Sequence, residues 1–241
     1  MDYYCELKDR FQKIIKDHNI NTELEIVKVQ KLTPKEAIGD TGREDYPILK
    51  GKELLINAYY KGSVGQAFTD NAKNFQGSLR EVLSLDLEDE SNVPIFIATL
   101  NAVLRDLGLI KNTIHCKDGE PKKCSEKILE FFKDEYKDKK IVLVGLQPAM
   151  LEILSKDFDV RVLDLDVDNV GKERFGVIIE DGIKDYFDVI NWGDVLLVTG
   201  SCCSNKTISN FIVDKDTYFY GTTIAGVAYL MGLNRLCFCA Q

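Results

Sequence analysis

Four short segments of this chain carry residues whose types and spacing suit ligand chemistry. The first is Gly145-Leu146-Gln147-Pro148, a glycine turn that opens a helix directly behind the apolar run Ile141–Val144. A glycine there lets backbone approach a bound molecule, and the first N–H groups of the helix can face an anion. The later glycines of a GxGxxG fingerprint are missing, so a plain structural turn explains the loop equally well. The second is Asp164, Asp166 and Asp168 in VLDLDVDN. Asp164 and Asp166 stand about 20 positions beyond the glycine turn, where dinucleotide-binding folds grip a ribose diol. Alternation along an extended strand puts the two on one side. Solvated charges at a strand end are the competing reading.

The third segment runs Thr199-Gly200-Ser201-Cys202-Cys203-Ser204-Asn205-Lys206-Thr207. It misses the phosphate-binding pattern GxxxxGK[ST] by one residue, with Asn205 in place of the second glycine. Asparagine tolerates left-handed backbone better than most residues. No second acidic motif is placed to hold magnesium. A looser anion or hydroxyl site built by Ser201, Asn205, Thr207 and helix N–H groups therefore fits better than a true phosphate loop. The fourth, Gly221-Thr222-Thr223, repeats the sequence of glycine, hydroxyls and helix.

Cysteine offers other chemistry. Cys202 and Cys203 lie within the third segment, where thiolates could hold a soft or divalent metal. No CxxC pair exists, and Cys237 and Cys239 read as core residues on one face of the last strand. His115-Cys116 with Cys124 lacks a metal-ligand spacing. The chain has two histidines, so a histidine general base is disfavoured.

The elements that must position these residues come in two styles. Through residue 112 the chain reads helix (3–18), strand (Leu24–Val29), loop (31–45), strand (Glu53–Tyr60), then helices from Ser78 and from Ser91. That is an α+β pattern. Gly62 and Gly65 mark tight backbone in YYKGSVGQAFTDN. Residues 111–121 read as a linker. From residue 113 short apolar strands alternate with helices: strands at 141–145, 160–166, 177–179, 195–200, 218–221 and 235–239, with helices at 123–136, 148–156, 205–213 and 223–231. This predicts a Rossmann-like, mostly parallel, doubly wound sheet covered on both faces. The expected division is therefore 1–112 and 113–241, an α/β protein with a small α+β first domain. Ligands in such sheets bind beyond the carboxyl ends of the strands, where all four segments fall.

The whole of NAYYKGSVGQAFTD, VGLQP, VLDLD, TGS…NKT and YGTTIAG, in that order, resembles an uncharacterised bacterial and archaeal family assigned as heavy-metal chelatases. Its members pair an enolase-N-terminal-like domain with a Rossmann-like domain distantly similar to methyltransferases. The resemblance implies a composite site between the domains, with an adenosine- or S-adenosylmethionine-like ligand on the Rossmann side. By that matching Gly145, Gln147, Pro148, Asp164, Thr199, Gly200, Ser201, Asn205, Thr207, Thr222 and Thr223 line it. The stretch from Gly62 through Gly65, Gln66 and Phe68 to Thr69 faces them. The family reads Asn-Gly-Thr after TGS, whereas this chain has Lys206 at the glycine.

Bulk composition narrows the partners. With 241 residues, 45% hydrophobic and 29% charged, both halves can bury a core. A net charge of −8 argues against nucleic acid or an anionic membrane surface as partner. The charged start MDYYCELKDRF is not a signal peptide, and seven cysteines without an export signal point to reduced thiols in a cytoplasm. The segment around Gly62 serves a subunit contact as readily as a ligand, which leaves a homo-oligomer open. The expected function is binding of a small anionic or nucleotide-like molecule between the domains, in metal or metallocofactor metabolism. Metal binding through Cys202 and Cys203, and a sensor that binds a metabolite without turnover, are the alternatives.

Overall fold

The computed structural model describes residues 2–51 and 53–241. Helix α1 (Tyr3–Asp17) is capped by Asp2, whose carboxylate accepts the amides of Tyr4 and Cys5, and it buries Tyr4, Leu7, Phe11 and Ile15 along one stripe. Four antiparallel strands follow: β1 (Ile26–Lys31), β2 (Leu54–Tyr60), β3 (Ser63–Thr69) and β4 (Phe75–Ser78), in the order β3-β2-β1-β4. Lys61 and Gly62, with φ of +46° and +87°, make the two-residue turn of the β2–β3 hairpin.

The stretch between β1 and β2, expected to be loop, contains helix α2 (Pro34–Ile38) and a 3₁₀ turn at Pro47–Lys50. Thr33 and Glu36 form a reciprocal capping box around α2, which offsets the short length of the helix. Helix α3 (Leu79–Leu83) carries a second such box, Ser78 with Glu81. Helix α4 (Val93–Asp106) starts at Asn92 rather than Ser91, because the Ser91 hydroxyl donates to Asp89 instead. Every residue from Val93 to Leu104 is buried, since α4 lies between the first sheet and the second half of the chain.

Helix α5 (Glu120–Glu135) leads into β5 (Ile141–Val144), α6 (Pro148–Leu154), β6 (Val160–Asp164), β7 (Glu173–Arg174), β8 (Val177–Asp181), α7 (Tyr186–Trp192), β9 (Val195–Thr199), β10 (Asp216–Tyr220), α8 (Ala225–Met231) and β11 (Asn234–Leu236). Their sheet order is β11-β10-β9-β5-β6-β8-β7. All neighbours are parallel except the short edge strand β7. Counting the parallel strands from β5, this is the 3-2-1-4-5-6 order of doubly wound nucleotide-binding sheets, and strand order reverses between β5 and β9. Alternate residues face opposite sides. Ile141, Leu143, Val162 and Leu197 pack with α5 and α6. Val142, Val144, Leu196 and Val198 face α7 and α8, in the core that continues through α4 to the first sheet.

Three local expectations are corrected. The helix expected at 205–213 is replaced by 3₁₀ turns at Gly200–Cys203 and Ile208–Phe211. Lys206 has φ of +61°, and Asn205 turns its side chain back onto the Thr207 amide and hydroxyl. Both features compete with helical pairing. The last strand stops at Leu236, opposite the end of β10 at Tyr220, so Cys237 and Cys239 lie beyond it rather than on its face. Residues 111–117 do lack regular structure, yet they are pinned. Ile114 exchanges both backbone hydrogen bonds with Gln241, and Thr113 donates to the Val64 carbonyl. Among the described residues no helix is long and apolar enough to cross a membrane.

Candidate functional site

Where strand order reverses, the rim of the second sheet and the first sheet enclose a cavity of about 840 Å³, within the range of small-molecule sites. Its floor is the β5–α6 turn. Gly145 has φ of +82°, and a Cβ there would come within 2.8 Å of the Thr199 side chain. Only glycine lets the ends of β5 and β9 sit this close. The turn is held from two sides. Asp164 Oδ2 accepts the Leu146 amide at 2.6 Å, and the Tyr220 hydroxyl donates to the Gly145 carbonyl at 3.0 Å. Gln147 caps α6 by accepting the Met150 amide, with Pro148 as first helical residue.

Of the residues singled out by sequence, Gly145, Gln147, Pro148, Asp164, Asp166, Thr199, Gly200, Ser201, Cys202, Asn205, Thr207, Thr223, Phe68 and Thr69 line this one cavity. Asp168, Gly62, Gly65, Gln66, Thr222 and Cys203 do not.

The reasons are steric and polar. Gly62 only makes the hairpin turn, with open space around its Cα. A Cβ on Gly65 would lie 2.2 Å from the Ala102 nitrogen, so this glycine exists to let β3 touch α4. Gln66 donates to Asn57 and accepts the His115 amide. Thr222 is fully buried beside Asn101, whose side-chain amide reaches the carbonyls of Gln66, Thr222 and Thr223 and accepts the Gly226 amide. These residues join the two halves. Thr223 does both, lining the cavity while its hydroxyl accepts the Phe68 amide at 2.9 Å.

The phosphate-loop reading of 200–207 is not what the geometry shows. The left-handed residue is Lys206, not Asn205, and Lys206 reaches Glu88 and the ring of Tyr4 rather than the cavity. Burial pushes the Cys202 and Cys203 thiols well above their usual range, and Cys203 donates to the Gly200 carbonyl. Among the described residues no three His, Cys, Asp or Glu side chains are arranged to hold a metal ion.

Sequence reasoning missed the electrostatic centre of the site. Glu53, just ahead of β2, lines the cavity together with Asp70, Asp164 and Asp166. Burial, then the like charges of Asp164, Asp166 and Asp70, push its carboxyl up to about 7. His115 adds no charge. Burial pushes its ring down to about 4, and it packs edge-on against Phe68 with centroids 5.2 Å apart. The Ser204 hydroxyl, buried in the wall, has no hydrogen-bond partner among the described residues. Exposed Leu165 and Ile183 add an apolar flank where β6 and β8 end. Glu53 sits in no recognisable motif. Tyr220, a tyrosine at a strand end, was accessible to the same rim argument that found Thr199.

No family model and no curated protein matches the sequence. Two solved structures are similar to it. One is a DUF364-family protein of unknown function from Pyrococcus horikoshii, at 15% identity and TM-score 0.55, covering 90% of this chain and 79% of that one. The other, from Desulfitobacterium hafniense DCB-2, is a DUF364-family protein of unknown function at 15% identity and TM-score 0.53, covering 95% and 83%. At that identity the likeness is one of fold: this chain has the mixed α/β architecture, with its largely parallel second sheet, of those two DUF364 structures.

Proposed function

We propose that the protein binds a small nucleoside-type molecule, of which S-adenosylmethionine is the model, in the cavity between its two sheets. One observation carries this reading. The cavity sits at the switch point of a 3-2-1-4-5-6 sheet, with Asp164, at the end of the neighbouring strand, holding the glycine turn of Gly145. In sheets of this order that position favours a nucleoside, with an acidic residue at the end of the second strand taking the ribose hydroxyls.

Asp164 is placed for ribose hydroxyls, since its carboxylate keeps lone pairs beyond those taken by Leu146 and Asp166. Leu165 and Ile183 offer an apolar surface to the base. Glu53 is a carboxyl that changes charge near neutrality and lines the same cavity, the type of group that takes or gives a proton to a bound molecule. The heavy-metal handling implied by the family resemblance has no donor set among the described residues and is not part of the proposal.

Calorimetric titration with S-adenosylmethionine, S-adenosylhomocysteine, adenosine, AMP and ATP tests it. S-adenosylmethionine, S-adenosylhomocysteine and adenosine should bind. Silence from every adenosine compound would end the nucleoside reading.

A further inference from the structure

One wall of the cavity is neither sheet nor long helix. It is the stretch between α2 and β2, from which Thr41, Tyr46, Pro47 and Ile48 line the space. The start of this stretch is anchored: Asp118 donates its amide to the Ile38 carbonyl at 2.9 Å and accepts the Asp40 amide on Oδ1 at 2.8 Å. Beyond the anchor the chain is held lightly. Among the described residues, positions 40–45 make no backbone-to-backbone hydrogen bond. The amides of Gly42 and Arg43 turn instead to the side chains of Asp40 and Thr41, at 3.1 and 3.4 Å. Tyr46 and Ile48 pack with Ala37, Ile38, Leu55 and Ala149 in a small apolar cluster separate from the two large cores. A segment with few backbone bonds and its own small cluster can open while the sheets stay intact.

An ion pair carries this segment across to α6. Arg43 donates through Nη1 to Glu152 Oε2 at 2.5 Å, while its Nε and Nη2 donate to the two oxygens of Asp45 at 2.9 and 2.8 Å. The fork on Asp45 fixes the guanidinium plane, so that its remaining edge meets Glu152. The same guanidinium lies over the Phe175 ring, 5.8 Å from the centroid. Glu152 belongs to the helix that follows the Gly145 turn, so the pair draws the segment onto the floor of the cavity. The side chains of Arg43 and Glu152 are 26% and 34% exposed. A pair so open to water is screened by salt and can part and re-form.

We propose that residues 43–50 are a lid over the cavity, that the Arg43–Glu152 ion pair is its latch, and that small molecules enter and leave when the pair parts. Gly42 and Gly51 are the hinges. Both have left-handed backbone, with φ of +65° and +72°, and open space around their Cα atoms. Glycine takes either sign of φ with little strain, so these two positions can absorb the rotation. Closed, the lid presents Tyr46, Pro47 and Ile48 to the occupant and keeps water from it. Open, it gives solvent a path to Cys116 and Cys124 on the cavity lining. The device does not depend on which molecule the cavity takes.

Thiol labelling of the reduced full-length protein with N-ethylmaleimide, read peptide by peptide in a mass spectrometer, tests this without any ligand. Cys116 is buried on the cavity lining and reports the lid. Cys5 is exposed and reports the reagent, and Cys203, buried and off the lining, reports unfolding. Arg43→Ala and Glu152→Gln should each label Cys116 at least fivefold faster than the native protein, with Cys5 and Cys203 unchanged. An unchanged Cys116 rate in both variants overturns the proposal. If a variant also labels Cys203 faster, it has unfolded, and the native protein decides through salt. Raising NaCl from about 0.05 to about 0.5 M should speed Cys116 at least twofold while Cys203 stays protected. A Cys116 rate indifferent to salt defeats the latch.

Discussion

The Leu146 amide donates to Asp164 Oδ2 at 2.6 Å, so the acidic residue at the end of β6 holds the glycine turn at the end of β5 in place. The second oxygen accepts the Asp166 amide at 2.7 Å. One side chain thus fixes both the turn after β5 and the start of the loop after β6. Hydrogen bonds to a charged acceptor contribute roughly 1.5–3 kcal/mol each when the partner is left buried. Asp164→Ala should therefore cost about 2–3 kcal/mol in urea denaturation. Asp164→Asn keeps an acceptor for Leu146 and should cost about 1 kcal/mol, while weakening adenosyl binding at least tenfold. An asparagine variant that binds as tightly as the native protein would remove Asp164 from the ligand and leave it a purely architectural role.

Asn101 carries the polar join between the halves. It is fully buried, donates toward three carbonyls and accepts the Gly226 amide at 2.7 Å. Truncation to alanine strands those groups in a dry interface, at roughly 1–3 kcal/mol for each one left unpaired. Asn101→Ala should lose about 3 kcal/mol or more by chemical denaturation. A loss under about 1 kcal/mol would mean that the two sheets do not depend on this network.

Gly62 and Gly65 look alike in sequence and should behave differently. Gly62→Ala meets open space and a φ of +87°, so its cost is backbone strain alone, about 1 kcal/mol. Gly65→Ala would place a carbon 2.2 Å from the Ala102 nitrogen and 2.3 Å from the Ala98 oxygen. Both are backbone atoms of α4 that cannot swing aside. The penalty should exceed about 3 kcal/mol, or the protein should fail to fold. Thermal melts of the two variants side by side give the comparison, and equal losses would contradict the packing role assigned to Gly65.

What could be read in advance follows from how locally each feature is encoded. Strands β5 and β9 are short runs of apolar residues buried on both faces, and no other element explains Ile141–Val144 or Val195–Val198. Once they were placed, the rim rule found Gly145, Asp164 and Thr199 without further help. It failed where residue type alone did not decide direction. Thr222 and Gln66 carry suitable groups but turn them away from the cavity: the Gln66 side chain bonds Asn57 and the His115 amide, and the Thr222 side chain is fully buried. The helix predicted after Asn205 ignored how strongly Asn205 and Thr207 bond to each other. Glu53 was illegible for another reason. Its altered acidity comes from burial, then from the like charges of Asp164 and Asp166 far along the chain, and exists only after the two sheets meet.

Lys206 separates a phosphate loop from a structural turn. Its ammonium pairs with Glu88 at 2.9 Å on the surface, outside the cavity lining. Lys206→Gly relieves a left-handed backbone but gives up an exposed ion pair worth about 0–1 kcal/mol. Stability should change by less than about 1 kcal/mol, and calorimetric affinity for adenosyl compounds should not change. A tenfold loss of affinity for any phosphate compound in this variant would restore the phosphate-loop reading.

Glu53 predicts an unusual pH dependence. Its carboxyl titrates near 7 in the folded protein, raised from an ordinary value of 4.5. Between those two values the folded state holds a proton that the unfolded state has released, so stability falls as pH rises. The contribution is intact below about pH 4.5 and is progressively lost up to about pH 7, opposite to a carboxylate stabilised by a salt bridge. Glu53→Gln fixes the neutral form. Its stability relative to the native protein should grow with pH, by on the order of 2 kcal/mol between pH 5 and pH 8. Urea denaturation of both proteins at unit pH steps reads this directly. A constant difference across the range would show that the carboxyl titrates normally, and with it would go the case for Glu53 as a proton-transferring group beside the ligand.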